Sequence, residues 1–264
     1  MSSMSTWLDP LREALDESDT RIDFFFRDDD VGWADDEFRA LLACFRGHSV
    51  PLDVAAIPTA LTAALVNELC TLHAETPMLV GIHQHGFSHT NHEVLGRKCE
   101  FGASRTQEEQ YWDIQHGKMK LDAMFGFAFD PIFTPPWNRC TEITAECLRE
   151  LGFHILSRDA TAPALAVSGL KELPISIDWF AKRNGKRLSF QSLGTLIART
   201  VKQRQPLGIM LHHELMNADE RERLDQLLVL LSTHRQVHCK LMAQIAGPGA
   251  TAKESFEIDH SMQL

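Results

Sequence analysis

Phe24-Phe-Phe-Arg-Asp-Asp-Asp-Val-Gly32 sets an apolar run directly against three consecutive carboxylates, and the reading of the whole chain starts there. Residues 22–26 predict a buried strand. Further short apolar runs at 52–57, 78–82, 131–133, 153–156, 173–177 and 208–211 are strand candidates of the same kind. Stretches of helical period near 34–46, 60–74, 104–125, 141–151, 191–204 and 217–234 lie between them. Strand and helix in regular alternation predict an α/β fold with a largely parallel sheet. About seven strands joined by right-handed crossovers point to a barrel, complete or open. No repeat and no Pro/Gly/Ser-rich linker divides the chain, so residues 1–246 read as one domain and 247–264 as a loose tail; 181–187 is a turn-rich excursion.

The 264 residues are 44% apolar and 23% charged, an ordinary globular composition. Lys+Arg 26 against Asp+Glu 36 gives a formal net charge of −10, and without a basic run the electrostatic footprint of a nucleic-acid partner is missing. No window approaches a membrane span, and the N-terminus lacks a basic and apolar leader, so the expectation is a cytoplasmic protein with no membrane partner. Six cysteines without CxxC spacing read as packed, reduced thiols. Oligomeric state has no signal.

Polar clusters placed after strands are the informative ones, because α/β architectures bind ligands beyond the carboxyl ends of their strands. Asp28, Asp29 and Asp30 would repel one another near a low-dielectric core unless a cation or Arg27 compensates them. The second cluster, Gly81-Ile-His-Gln-His-Gly-Phe-Ser-His-Thr-Asn-His92, also follows a strand. His85 and His89 stand four apart, the spacing that presents two imidazoles on one side of a helical turn. A carboxylate from the acidic triplet would complete a two-imidazole, one-carboxylate set for a divalent ion with open positions. His83 and His92 read as structural. Pro135 and Pro136 would fix Trp137 as a flat wall. Asp178 at another strand end can orient a neighbouring histidine, and Gly208-Ile-Met-Leu-His-His-Glu214 delivers a candidate general acid.

In this order the five patches resemble the five motifs of the polysaccharide deacetylase (NodB-homology, carbohydrate esterase family 4) family, over roughly Phe24 to His213. The resemblance implies a distorted (β/α)7 barrel and metal-dependent hydrolysis of an acyl group, in first place N-acetyl, on a carbohydrate or related amide. It implies Asp29 as general base and Asp30, His85 and His89 as metal ligands. A register slipped by one would make Asp28 the base and Asp29 the ligand. Asp178 would orient the base, His212 would donate the proton, and Pro136, Trp137, Trp179 and Leu211 would contact substrate. Zinc is the first choice of ion, with cobalt, iron, nickel and manganese suited to the same donors. Three positions depart from the pattern. Thr134 stands where the third motif has arginine, leaving Arg139 or Arg27 to contact the base; Val31-Gly32 replaces Gly-Pro; and His213 stands where an acid commonly follows the catalytic histidine. Hydrolysis of a small cyclic or linear amide, or carbohydrate binding without turnover, are the alternative functions.

Overall fold

The computed structural model describes residues 6–203 and 206–247, so most of the tail read from 247 onward lies outside it. Its strands are β1 (Ile22–Val31), β2 (Leu52–Ala56), β3 (Val80–His85), β4 (Phe129–Thr134), β5 (Ile155–Leu156), β6 (Lys171–Glu172), β7 (Ile177–Asp178), β8 (Lys182–Arg183), β9 (Lys186–Arg187), β10 (Leu207–His212) and β11 (Val237–Cys239). Its helices are α1 (Asp9–Asp16), α2 (Asp35–His48), α3 (Ala63–Glu75), α4 (Gln107–Phe125), α5 (Glu142–Glu150), α6 (Phe190–Val201), α7 (Ala218–Thr233) and α8 (Met242–Ala246). Local chemistry sets several helix starts. Thr106 and Glu109 form a capping box before α4, and Thr141 and Thr144 do the same before α5.

The main sheet runs β6-β5-β4-β3-β2-β1-β10-β7, with β11 added against the start of β1, and every pair in it is parallel. Residues 171–178 join its two edges. Leu173 and Ile175 donate backbone hydrogen bonds to Leu156 and Arg158 (3.0 and 2.9 Å), after which Ser176 and Trp179 donate to Gly208 and Met210 (2.8 and 3.0 Å). One segment therefore serves first as the neighbour of β5 and then as the neighbour of β10. The sequence reading of a single strand over 173–177 becomes two short strands with a crossing between them. Counted as one stave, this segment makes the sheet a distorted (β/α)7 barrel.

Side chains alternate between two cores. Phe24 and Phe26 point outward into the large cluster shared with the helices, while Phe25 points inward with Ile132, Ile155, Leu173, Ile175 and Met210. The strands β1 and β3 run further than their apolar residues alone predict, through the acidic triplet in one and through His85 in the other. Outside the barrel, β8 and β9 form a hairpin carrying Lys182, Arg183, Lys186 and Arg187, a short basic cluster that the charge balance of the whole chain conceals.

The interior tolerates little added volume. Gly208 faces the ring of Phe25, and a Cβ built at Gly208 would overlap it. Gly208→Ala should cost about 1–3 kcal/mol of stability through overpacking, measured by chemical denaturation, and a cost below about 0.5 kcal/mol would refute this packing.

Candidate metal centre

Three adjacent aspartates leave β1 in three directions. Asp28 is outward and fully buried; one oxygen accepts the backbone N–H of His213 (3.0 Å) and the other meets His213 Nδ1 at 2.7 Å. Asp29 is inward, where Arg27 grips both its oxygens through Nε and Nη2 (2.7 and 2.9 Å). Asp30 takes a left-handed conformation (φ 68°) where the pairing of β1 with β2 shifts register, and this turns its carboxylate toward the histidines.

Asp30 Oδ1 lies 3.0 Å from His85 Nε2 and 3.1 Å from His89 Nε2. The two rings do not sit on a helical turn, as their spacing suggested. His85 ends β3, and His89 lies in the loop beyond it with φ 55°. Gly86 makes the bend possible: its φ is +57°, and a Cβ there would strike Glu100 and Pro136. The Glu100 carboxylate, buried under the loop, accepts the backbone N–H groups of Phe87 and Ser88 (3.2 and 2.8 Å). Trp33 and Trp137 flank the His89 ring, with centroids 5.0 and 4.4 Å away.

The donor set suits a divalent cation. The three ligand atoms lie within 4.8 Å of one another. The carbonyl of Thr134 accepts from His85 Nδ1 (3.1 Å), which fixes the proton there and leaves Nε2 facing Asp30. Burial opposes the Asp30 charge, but the two imidazoles hold its carboxyl well below the usual carboxylate range. Burial likewise opposes a charge on His85, yet Asp30 and Asp29 draw the ring upward. The pocket thus favours positive charge beside Asp30 strongly enough to overcome desolvation.

The remaining candidates divide. His212 lies on the same wall, with Nε2 3.9 Å from Asp30 Oδ2, and its buried Nδ1 has no hydrogen-bond partner among the described residues. Asp178 lines a cavity of about 440 Å³ together with Trp137, Asn138 and Met210. Burial raises the Asp178 carboxyl, and the nearby His212 opposes that shift. It accepts the Phe180 N–H at 2.8 Å, and its register partner across the sheet is Met210, two residues short of the histidine it was expected to orient. Pro136 is buried against the Gly86 bend, behind Trp137.

Trp179 and Leu211 do not reach the groove. Trp179 is packed in the outer core, where its indole N–H donates to Glu220 (2.7 Å) and its ring meets Trp7 and Phe190. Leu211 is fully buried in the same outer cluster. The period of a strand explains both: each is adjacent to a groove residue and so faces the opposite way. Met210 is the apolar residue that shares a face with His212, a placement that alternation along β10 could have supplied. Of the two arginines considered for the base, Arg27 makes the contact, and Arg139 instead donates to the Lys98 carbonyl (2.8 Å). Ser157 and Asn138, silent in the sequence, accept Arg27's other three hydrogen bonds to oxygen (2.7–3.0 Å). His83 is structural, its Nε2 2.9 Å from the Thr134 hydroxyl.

Behind the site, His213 bridges Asp28 and the carbonyl of Trp33 (2.8 Å from Nε2). Both ring nitrogens face acceptors, which calls for the doubly protonated ring. Burial opposes that charge, but Asp28 outweighs it and pushes the pKa up to about 9. A raised folded-state value means that the stabilisation is complete below the unfolded histidine pKa of roughly 6.5 and is lost as pH rises through about 9. Denaturation at intervals from pH 6 to 10 should show stability falling by up to roughly 3 kcal/mol, and His213→Gln should flatten that slope. An equal slope in the variant would refute the assignment.

No family model matches the chain, and no curated protein matches it by sequence. Solved structures do match. A Mycobacterium smegmatis protein assigned as a polysaccharide deacetylase superposes with a TM-score of 0.60 at 16% identity, over 86% of this chain and 90% of its own. A variant of the peptidoglycan deacetylase PdaC from Bacillus subtilis gives 0.53 at 10% identity, over 86% and 90%. BA3943 of Bacillus anthracis, a CE4 family pseudoenzyme, gives 0.53 at 12% identity in a mutant with restored activity, over 86% and 68%. This chain therefore has the barrel fold of the carbohydrate esterase family 4 polysaccharide deacetylases.

Proposed function

We propose that the chain is a metal-dependent deacylase that hydrolyses an N-acyl group, in first place N-acetyl, on a carbohydrate or related amide. The observation that carries this reading is the convergence of Asp30, His85 and His89 beside a second carboxylate, Asp29, gripped by Arg27. Asp30, His85 and His89 would hold the ion, zinc before cobalt, iron, nickel or manganese. Such an ion, when bound, lowers the pKa of a water toward about 7 and polarises an acyl carbonyl.

The protein's own groups do the rest. Asp29 is the base that takes the water's proton. Arg27 presents its carboxylate in one orientation, since five oxygens accept its five N–H donors and leave the guanidinium no freedom to turn. His212 is the acid that protonates the departing nitrogen, and its partial exposure on the groove wall gives it access to the leaving group. Trp137 offers a flat face to a sugar ring, and Pro136 behind it keeps that face in place. The departures from the family pattern leave these roles filled, with Arg27 taking the part of the arginine missing at Thr134.

A second reading, hydrolysis of a small cyclic or linear amide, draws support from the limited cavity of about 440 Å³ beside the site. Zinc-loaded protein should release acetate from N-acetylated sugars and leave cyclic ureides intact. Asp29→Asn should retain the metal and lose roughly 10²–10⁴ in kcat, whereas His85→Ala and His89→Ala should lose the metal itself. Ureide hydrolysis without acetate release would favour the second reading. Sugar binding with no turnover by the native chain would make it a binding protein instead.

A further inference from the structure

The deacylase chemistry leaves one wall of the groove without a role. Arg97 and Arg139 line the cavity that also holds Trp137, Asn138, Asp178 and Met210. They come from separate segments, joined where Phe101 bridges Cys140 and where Cys99 Sγ lies 3.3 Å from the Arg139 carbonyl. Neither arginine forms an ion pair within 4.0 Å among the described residues, whereas the buried Arg27 and Arg158 are each paired with a carboxylate. Asp159, on the same wall, has its Oδ1 occupied by the N–H and hydroxyl of Thr161, both at 2.7 Å. Lys98 brings a third positive charge, its Nζ 5.8 Å from the centre of the Trp137 ring.

A chain of net charge −10 thus gathers three cations on one side of its groove, without a carboxylate bound to either guanidinium. Their mutual repulsion is visible in Arg139, whose pKa is held down by burial and by the neighbouring Arg97. At the reacting end the charges are paired, Asp29 with Arg27 and Asp30 with the two imidazoles. A groove with unpaired cations along a single wall orients any ligand that is itself charged at one end.

We infer that the substrate bears an anionic substituent, a carboxylate or a phosphate, beyond the acyl group that is removed, and that Arg97 and Arg139 bind it. Guanidinium forks suit either oxyanion. The negative end is drawn to the arginines, which leaves the neutral acyl group for the metal centre. This rests on the deacylase reading for the position of the scissile bond, and on the cavity alone for the charge.

The test uses zinc-loaded protein and three probes: N-acetylglucosamine, N-acetylglucosamine 6-phosphate and N-acetylmuramic acid. Calorimetry at low ionic strength gives their affinities, and acetate release is followed in parallel. At least one anionic probe should bind about tenfold or more tightly than the neutral sugar. That advantage should vanish in the Arg97→Gln, Arg139→Gln double variant while the neutral sugar binds as before. Arg97→Gln alone, at an exposed position, should keep the fold and lose part of the advantage. Preference for the phosphate probe alone assigns a phosphate, and preference for the muramic acid alone assigns a carboxylate. Equal binding of all three, binding of none, or a preference that survives in the double variant overturns the inference. Charge-selective binding without acetate release would leave it standing and remove the deacylase reading; turnover without charge preference would do the reverse.

Discussion

Three consecutive carboxylates can be buried at the end of a barrel strand only if each finds its own counter-charge, and that requirement organises everything around β1. Strand alternation separates Asp28 from Asp29 by sending them to opposite faces, and the left-handed turn at Asp30 supplies a third direction. Each direction ends at a different cationic partner: His213 outside, Arg27 inside, and the His85–His89 pair at the rim. Leaving any of these carboxylates unpaired in so dry a setting would cost several kcal/mol, more than most single contacts return. The site is therefore also a structural solution, and the chain cannot lose one partner without exposing the charge it covers.

Strain accompanies that solution. Of the eight non-glycine residues at positive φ among the described residues, four (Asp30, His89, Trp137 and Asn138) belong to the groove. Such conformations cost of order 1 kcal/mol each and persist where the surroundings over-determine them. The surroundings here are specific. Glu100 ties down the loop that carries His89, the Thr134 carbonyl fixes the ring of His85, and Arg27 holds the Asn138 side chain while gripping Asp29. Rigid elements thus reach the reactive groups through hydrogen bonds that satisfy buried polar atoms at the same time.

Much of this was legible in the sequence. Apolar runs separated by helical periods sufficed for a parallel α/β barrel, and acids and imidazoles directly after strands marked the residues that converge as Asp30, His85 and His89. What escaped the sequence was whatever depends on the direction of a side chain or on partners distant in the chain. Trp179 and Leu211 lie one position from groove residues, and in a strand that single step is the difference between cavity and core. The spacing of His85 and His89 suggested a helical turn because separation alone does not distinguish a helix from a loop bent by Gly86. Glu100, Ser157 and Asn138 carry no local signature; each matters through a hydrogen bond formed across the fold. Residues 173–177 read as one strand because their apolar pattern does not record that the segment changes neighbours midway.

The guanidinium beside Asp29 comes from the same strand, and its source has a mechanical consequence. An arginine at position 134 on β4 would have to reach past β3 and β2 to a carboxylate on β1, so its grip would depend on how those strands sit relative to each other. Arg27 stands two residues before Asp29, on the same face of the same strand, and its fork closes on both carboxylate oxygens without crossing the sheet. Asp29 and its cation then move as one unit. On β4 the corresponding end of the strand carries Thr134, whose carbonyl meets His85 and whose hydroxyl meets the buried His83. A side chain as long as arginine at 134 would bring a second buried guanidinium beside Arg27, and like charges in that interior would repel more strongly than Asp29 alone could offset. Thr134 therefore suits an interior whose guanidinium comes from β1, because its hydroxyl meets His83 without adding a charge beside Arg27.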